Sequence, residues 1–135
     1  ALGISQLKSL NKFILERNKI AKRYDKLLKK LPIRSQEIKS ENKSSFHLYI
    51  VLLDLKKIKK SYNQIFSSLR KKGIMINLHY LPIHLQPFYK NFGFKKGSFP
   101  VSEDYSKRAI SLPIYPGLTE KNQKKIVKTL TKIIV

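Results

Sequence analysis

Apolar residues fall at Leu7, Leu10, Phe13, Ile14, Ile20, Ala21, Tyr24, Leu27, Leu28 and Leu31, in steps that lay one stripe along a helix. The spacing predicts a long helix ended by Pro32. At about 1.5 Å per residue it runs on the order of 40 Å, more than the width of a small domain, and it is expected to pack against something outside this chain. Residues 34–45 are polar and aperiodic, and read as a loop or a poorly paired edge segment. The next run, Phe46-His47-Leu48-Tyr49-Ile50-Val51-Leu52-Leu53, is rich in β-branched and aromatic residues and nearly continuous in apolarity. It reads as a central strand covered on both faces.

Ile58, Tyr62, Ile65, Phe66 and Leu69 return to helical spacing, with Lys71 and Lys72 at the negative helix end and Gly73 suited to the position just beyond it. A short second strand is expected over residues 74–78. Pro82, Pro87, Gly93, Gly97 and Pro100 then punctuate a long irregular stretch relieved by brief helical turns, and loops of this length in compact domains are usually functional. Ser102 is expected to cap a short helix with Glu103 and Asp104 in its first turn. Ser111-Leu112-Pro113 forms a brief strand, and Tyr115-Pro116-Gly117 turns the chain into a last amphipathic helix that Thr119 caps, through Ile126, Val127, Leu130 and Ile133. Interleaved strands and helices without an internal repeat predict an α/β fold, a small sheet covered by helices. Residues 1–32 form the long linking helix and residues 33–135 the small domain.

Composition narrows the class. Hydrophobic residues make up 41% of the 135 and aromatics 10%, enough for a globular chain and too much for a disordered one. There is no cysteine, which excludes disulfides and thiolate metal sites and fits a reducing compartment, the cytoplasm. The first residues have no basic segment followed by an apolar one, and the longest apolar run is far too short to span a bilayer; neither export nor insertion is expected.

The formal charge of +21 by itself suggests nucleic acid, through counterion release. Five of the 29 basic residues are arginine, however, and the rest lysine, whereas readout of bases and phosphates favours arginine's planar fork. The lysines are spread over every segment among many isoleucines and asparagines, the pattern of solvated faces and an AT-rich genome. No specific nucleic-acid partner is expected. A basic nucleic-acid-binding module and a protein-interaction module remain the alternatives, the second because the first helix would expose its apolar stripe.

The segment His79-Tyr80-Leu81-Pro82-Ile83-His84-Leu85-Gln86-Pro87-Phe88-Tyr89 carries the candidate chemistry. It gathers His79, Tyr80, His84 and Gln86 at the end of a predicted strand, where α/β proteins place ligand contacts. Hydrogen bonding to a polar ligand is the expected role; the plainer alternative is that the prolines stiffen the loop and the histidines satisfy nearby carbonyls. Zinc would need a third ligand and only His47 remains, so no metal is expected. Gly93, Gly97 and Gly117 are too isolated for a phosphate loop or a dinucleotide fingerprint. Glu103 and Asp104 are adjacent and read as helix capping, not as a catalytic pair.

Taken in order, Ala1-Leu2-Gly3-Ile4-Ser5-Gln6-Leu7, Ser45-Phe46-His47-Leu48-Tyr49, His79-Tyr80-Leu81-Pro82-Ile83-His84, Gln86-Pro87-Phe88-Tyr89, Phe99-Pro100 and Ser111-Leu112-Pro113-Ile114-Tyr115-Pro116 resemble the sugar aminotransferase family typified by DegT, DnrJ, EryC1 and StrS. Within it the likeness is greatest to the transaminases of pseudaminic acid synthesis, which act on a UDP-linked altrosamine and serve flagellin glycosylation. The resemblance implies the C-terminal small domain of a homodimeric, fold type I enzyme that uses pyridoxal 5'-phosphate (PLP) to move an amino group, usually from glutamate, to the 4-keto carbon of a UDP-linked deoxysugar. It implies that the lysine forming the Schiff base lies upstream of Ala1, so that no lysine here is catalytic and the chain is inactive alone. It also implies that His79 and Tyr80 approach the sugar and cofactor pocket, with His84 and Gln86 continuing that loop. Phe46 stands where tryptophan or tyrosine is common in the family, and Phe88 where tyrosine is, which removes hydroxyl contacts there.

Overall fold

A computed structural model describes residues 2–135. Helix α1 (Leu2–Leu28) leads into strand β1 (Ile33–Ser35), strand β2 (Tyr49–Leu53), helix α2 (Tyr62–Lys71) and strand β3 (Asn77–Leu78). A 3-10 turn (Ile83–Leu85) and the short helices α3 (Pro87–Lys90) and α4 (Pro100–Ser106) precede strand β4 (Ala109–Leu112) and helix α5 (Glu120–Ile134). The strands form one sheet in the order β1-β2-β4-β3, and each neighbouring pair is antiparallel. The small α/β domain expected from the sequence is therefore present, with one more strand than expected.

The register separates the two faces. Tyr49 pairs with Leu112 and Val51 with Ile110, and these four side chains, with Leu53, enter the core. Helices α1, α2 and α5 cover that face with Ala21, Tyr24 and Leu28, Ile65 and Leu69, and Val127 and Leu130. Ile50 and Leu52 point the other way and are half-buried; they line a hollow of about 310 Å³ together with Arg34 of β1 and Tyr105 of α4. β2 is thus an interior strand, buried on one face and part-covered on the other, where continuous apolarity implied full cover on both. β4 is the strand buried at every position.

Polar side chains lock the layers. The Tyr24 hydroxyl donates to the Pro113 carbonyl at 2.9 Å, and Gln123 Nε2 donates to the Ile20 carbonyl at 2.7 Å, tying α1 to the exit of β4 and to α5. Tyr24 stacks on Tyr49 with ring centroids 4.8 Å apart, and the Tyr49 hydroxyl donates to Asp25 Oδ1 at 2.6 Å. Burial, then the neighbouring carboxylate, push the Tyr49 phenol far above its ordinary pKa.

Local chemistry sets the boundaries. α1 ends at Leu28 and not at Pro32, because the Leu31 N–H turns back to Leu28 O at 2.9 Å and proline disfavours helix at the residue before it. The strand expected over 46–53 begins only at Tyr49. Phe46 has φ +44° and its N–H is taken by Ser44 Oγ at 3.1 Å, so this backbone cannot enter a ladder. The strand expected over 74–78 shrinks to Asn77–Leu78, because the Ile76 N–H closes a tight turn onto Ile74 O at 3.0 Å. Gly73 does follow α2 with φ +75°, and Thr119 does cap α5, accepting from the Asn122 N–H at 3.2 Å. Ser102 does not cap α4. Phe99 holds that position with Pro100 in the first turn, where a missing N–H costs nothing.

Candidate functional site

The stretch between β3 and β4 begins where β3 terminates. His79 follows β3 directly, is buried, and leaves its Nε2 without a hydrogen-bond partner among the described residues. Its ring meets Tyr80 edge-on at 4.9 Å, and Tyr80 is 71% exposed. Burial lowers the His79 pKa, so the ring is neutral at pH 7 and one nitrogen can accept while the other donates. Residues 79–83 line a shallow cavity of about 260 Å³ whose far wall is Ser102, Tyr105 and Ser106 of α4. A buried polar atom without a partner is costly. The atom itself is closed off from solvent, and it is the His79 side chain as a whole that lines the cavity.

The other two candidates are placed differently. Gln86 sits at the N-terminal boundary of α3 and is exposed; its backbone N–H donates to Ile83 O at 3.0 Å, and its carbonyl accepts from Tyr89 and Lys90. His84 is buried and faces inward, with Nε2 3.0 Å from Glu103 Oε1 and its ring edge-on to Phe99 at 4.8 Å. The fold therefore brings His79 and Tyr80 together at one cavity, leaves Gln86 on the surface beyond it and turns His84 into the body of the loop.

Glu103 lies in the first turn of α4, as expected, but local reasoning missed its contacts. It is 5% exposed, and the same Oε1 that meets His84 accepts the Gly97 N–H at 2.7 Å. The His84 bond is the largest influence holding its carboxyl below the ordinary range, opposed by burial and helped by the Gly97 and Phe99 N–H groups. An ionised carboxylate only accepts, so His84 Nε2 carries the proton of this bond. An acid in a first helical turn is explained by the helix dipole alone, and nothing near Glu103 in sequence announces a partner 19 residues away.

The model of the DegT/DnrJ/EryC1/StrS aminotransferase family matches residues 1–131. The chain belongs to this family. An uncharacterized protein of Methanocaldococcus jannaschii, MJ1066, is 37% identical over 136 residues, covering 99% of this chain and 35% of that protein. Among solved structures, Spr1654 of Streptococcus pneumoniae in its PMP form matches with TM-score 0.88 at 31% identity, over 98% of this chain and 33% of that one; its PLP form is also known. Helicobacter pylori PseC, an aminotransferase involved in pseudoaminic acid biosynthesis, matches with TM-score 0.88 at 30% identity, over 98% of this chain and 36% of that one. This member of the family spans about a third of the length of these relatives.

PLP forms of a family structure make that cofactor the family's own, and it requires a cradle for its phosphate and an acid for its ring nitrogen. The cavity beside His79 is walled by residues 79–83, two serines and a tyrosine, with no cation and no carboxylate among its lining residues. These residues do not fit PLP. Among the described residues no three His, Asp or Glu side chains cluster to hold a metal, and no helix is long and apolar enough to cross a membrane.

Proposed function

We propose that this chain is the small domain that closes over the substrate of a PLP-dependent nucleotide-sugar aminotransferase. The reaction moves an amino group from glutamate, which leaves as its 2-oxo acid, to the 4-keto carbon of a UDP-linked deoxysugar. Likeness to PseC supports a sugar of the pseudaminic acid pathway. The cofactor-holding lysine stands outside residues 1–135, the chain alone is inactive, and the active form is a cytoplasmic homodimer. His79 and Tyr80 are the ligand contacts, Gln86 extends that surface, and His84 supports it from behind.

The observation that carries this proposal is one cavity of about 260 Å³ at which the buried His79 side chain meets the exposed Tyr80, with Ser102, Tyr105 and Ser106 of α4 opposite. A sugar hydroxyl offers both a donor and an acceptor to a neutral imidazole, and Tyr80 adds an aromatic face with a polar tip. Titrating a UDP-hexosamine into the ¹⁵N-labelled chain tests it: amides of residues 79–83 and of α4 shift, and His79→Ala weakens the effect at least about tenfold, as expected for one buried hydrogen-bonding group. Equal responses to ATP or duplex DNA would overturn it. So would borohydride reduction of PLP onto one of this chain's lysines with accompanying turnover.

A further inference from the structure

We infer that Glu103 is a positioning residue: one buried carboxylate oxygen clasps both ends of the loop over residues 84–97 and fixes it to the helix that walls the His79 cavity. Oε1 receives His84 Nε2 at 3.0 Å and the Gly97 N–H at 2.7 Å. The two donors are thirteen residues apart, yet they meet at one atom. Between them, among the described residues, the hydrogen bonds are short-range, such as Tyr89 and Lys90 N–H to Gln86 O, Phe92 N–H to Tyr89 O, Gly93 N–H to Lys90 O and Lys95 N–H to Ser98 Oγ, with exposed aromatic contacts such as Phe88 with Phe92 at 5.4 Å. None of those bonds reaches the sheet or the core. Phe99, edge-on to His84 and 5.8 Å from Phe94, closes the ring from the C-terminal side.

Glu103 lies on α4, the helix that gives Ser102, Tyr105 and Ser106 to the cavity beside His79 and Tyr80. Its carboxylate therefore couples loop and cavity wall mechanically. A charge-assisted bond made by a buried acceptor is about twice as strong as a neutral one, and a single atom serving two donors makes closure at both ends one cooperative event. Gly97 reaches the carboxylate with φ +92°, a conformation that side-chain-bearing residues rarely adopt. The functional consequence rests on the sugar-binding proposal; the clasp itself does not.

The test uses Glu103→Gln, which keeps the shape and removes the charge, and Glu103→Ala. Hydrogen exchange of the 135-residue chain without ligand is expected to quicken at Gly97, Tyr89, Phe92 and Gly93 by about tenfold or more in Glu103→Ala and less in Glu103→Gln. Val51 and Ile110 in the sheet are expected to keep their rates. Long-range ¹H–¹⁵N spectra of the parent are expected to show His84 protonated at Nε2, with that preference weakened in Glu103→Ala, where no acceptor remains, and kept in Glu103→Gln, whose amide oxygen still accepts. A His84 found unprotonated at Nε2 would overturn the inference, as would loop exchange that Glu103→Ala leaves unchanged. Core amides quickening together with the loop would show general destabilisation and would also overturn it. These readouts need no sugar, so failure of the clasp is distinguishable from failure of the UDP-hexosamine titration.

Discussion

Glu103 and His79 are both buried, and their environments act in opposite ways. The Glu103 carboxyl is stabilised as an anion, so its folded pKa lies below the value of about 4.3 for a free glutamate. Stability from a depressed acid is fully present above the unfolded pKa and is lost as pH falls through the folded one. Thermal unfolding followed between pH 6 and 2 is therefore expected to show stability falling as pH drops through the carboxylate range. Glu103→Gln is expected to start less stable and to fall less steeply; parallel curves for the two proteins would show that Glu103 contributes nothing to acid sensitivity. His79 Nε2 has no hydrogen-bond partner among the described residues, whereas Glu103 Oε1 has two. The sequence singled out His79 and Tyr80 as polar residues at a strand end, and the structure has both lining one cavity. Glu103 was not legible, because its meaning comes from His84 and Gly97, and a pairing across 19 residues leaves no trace in spacing.

At the scale of elements, helical periodicity was readable and the caps were readable in part, since Phe99 and not Ser102 precedes the first turn of α4. Thr119, Gly73 and the stripes of α1, α2 and α5 stand as their spacing implied. What failed were short segments whose fate is decided by backbone partners elsewhere. β1 is three residues that exist as a strand because β2 offers an edge, and Phe46 leaves the strand because Ser44 captures its N–H. The apolar stripe of α1 continues beyond the domain that buries it: Tyr24 and Leu28 are in the core, while Leu7 and Leu10 are 66% and 43% exposed. A stripe that is half core and half surface predicts separable effects. Leu7→Lys with Leu10→Lys is expected to change folding stability by less than about 0.5 kcal/mol, as for surface substitutions generally, in thermal melts of the two proteins. A drop in melting temperature of several degrees would instead mean that the N-terminal half packs on the chain itself.

For the whole molecule the charge balance dominates. Against 29 lysines and arginines stand eight acids, and among the described residues Arg23, Lys57, Arg108 and Lys124 are the cations that pair with them. Glu120 is shared by two of these cations, Arg23 and Lys124, which hold its carboxyl below the ordinary range, Lys124 the more strongly. The remaining cations repel one another across a protein small enough for most of them to interact once salt is removed, because the screening length grows from about 8 Å at 0.15 M to about 30 Å at 0.01 M. Self-repulsion of this kind raises the free energy of the compact state and leaves the expanded chain less affected. The melting temperature is therefore expected to rise by about 4 °C or more when sodium chloride goes from 0.01 to 0.3 M, which at this chain length corresponds to roughly 1 kcal/mol. Ion-paired proteins respond the other way, since salt weakens the attractions that hold them. A flat or falling melting temperature in calorimetry would mean that the lysines lie too far apart, or too well solvated, to act on the fold. The same screening would remove nonspecific attraction to nucleic acid, and so separates bulk charge from any recognition that survives 0.3 M salt.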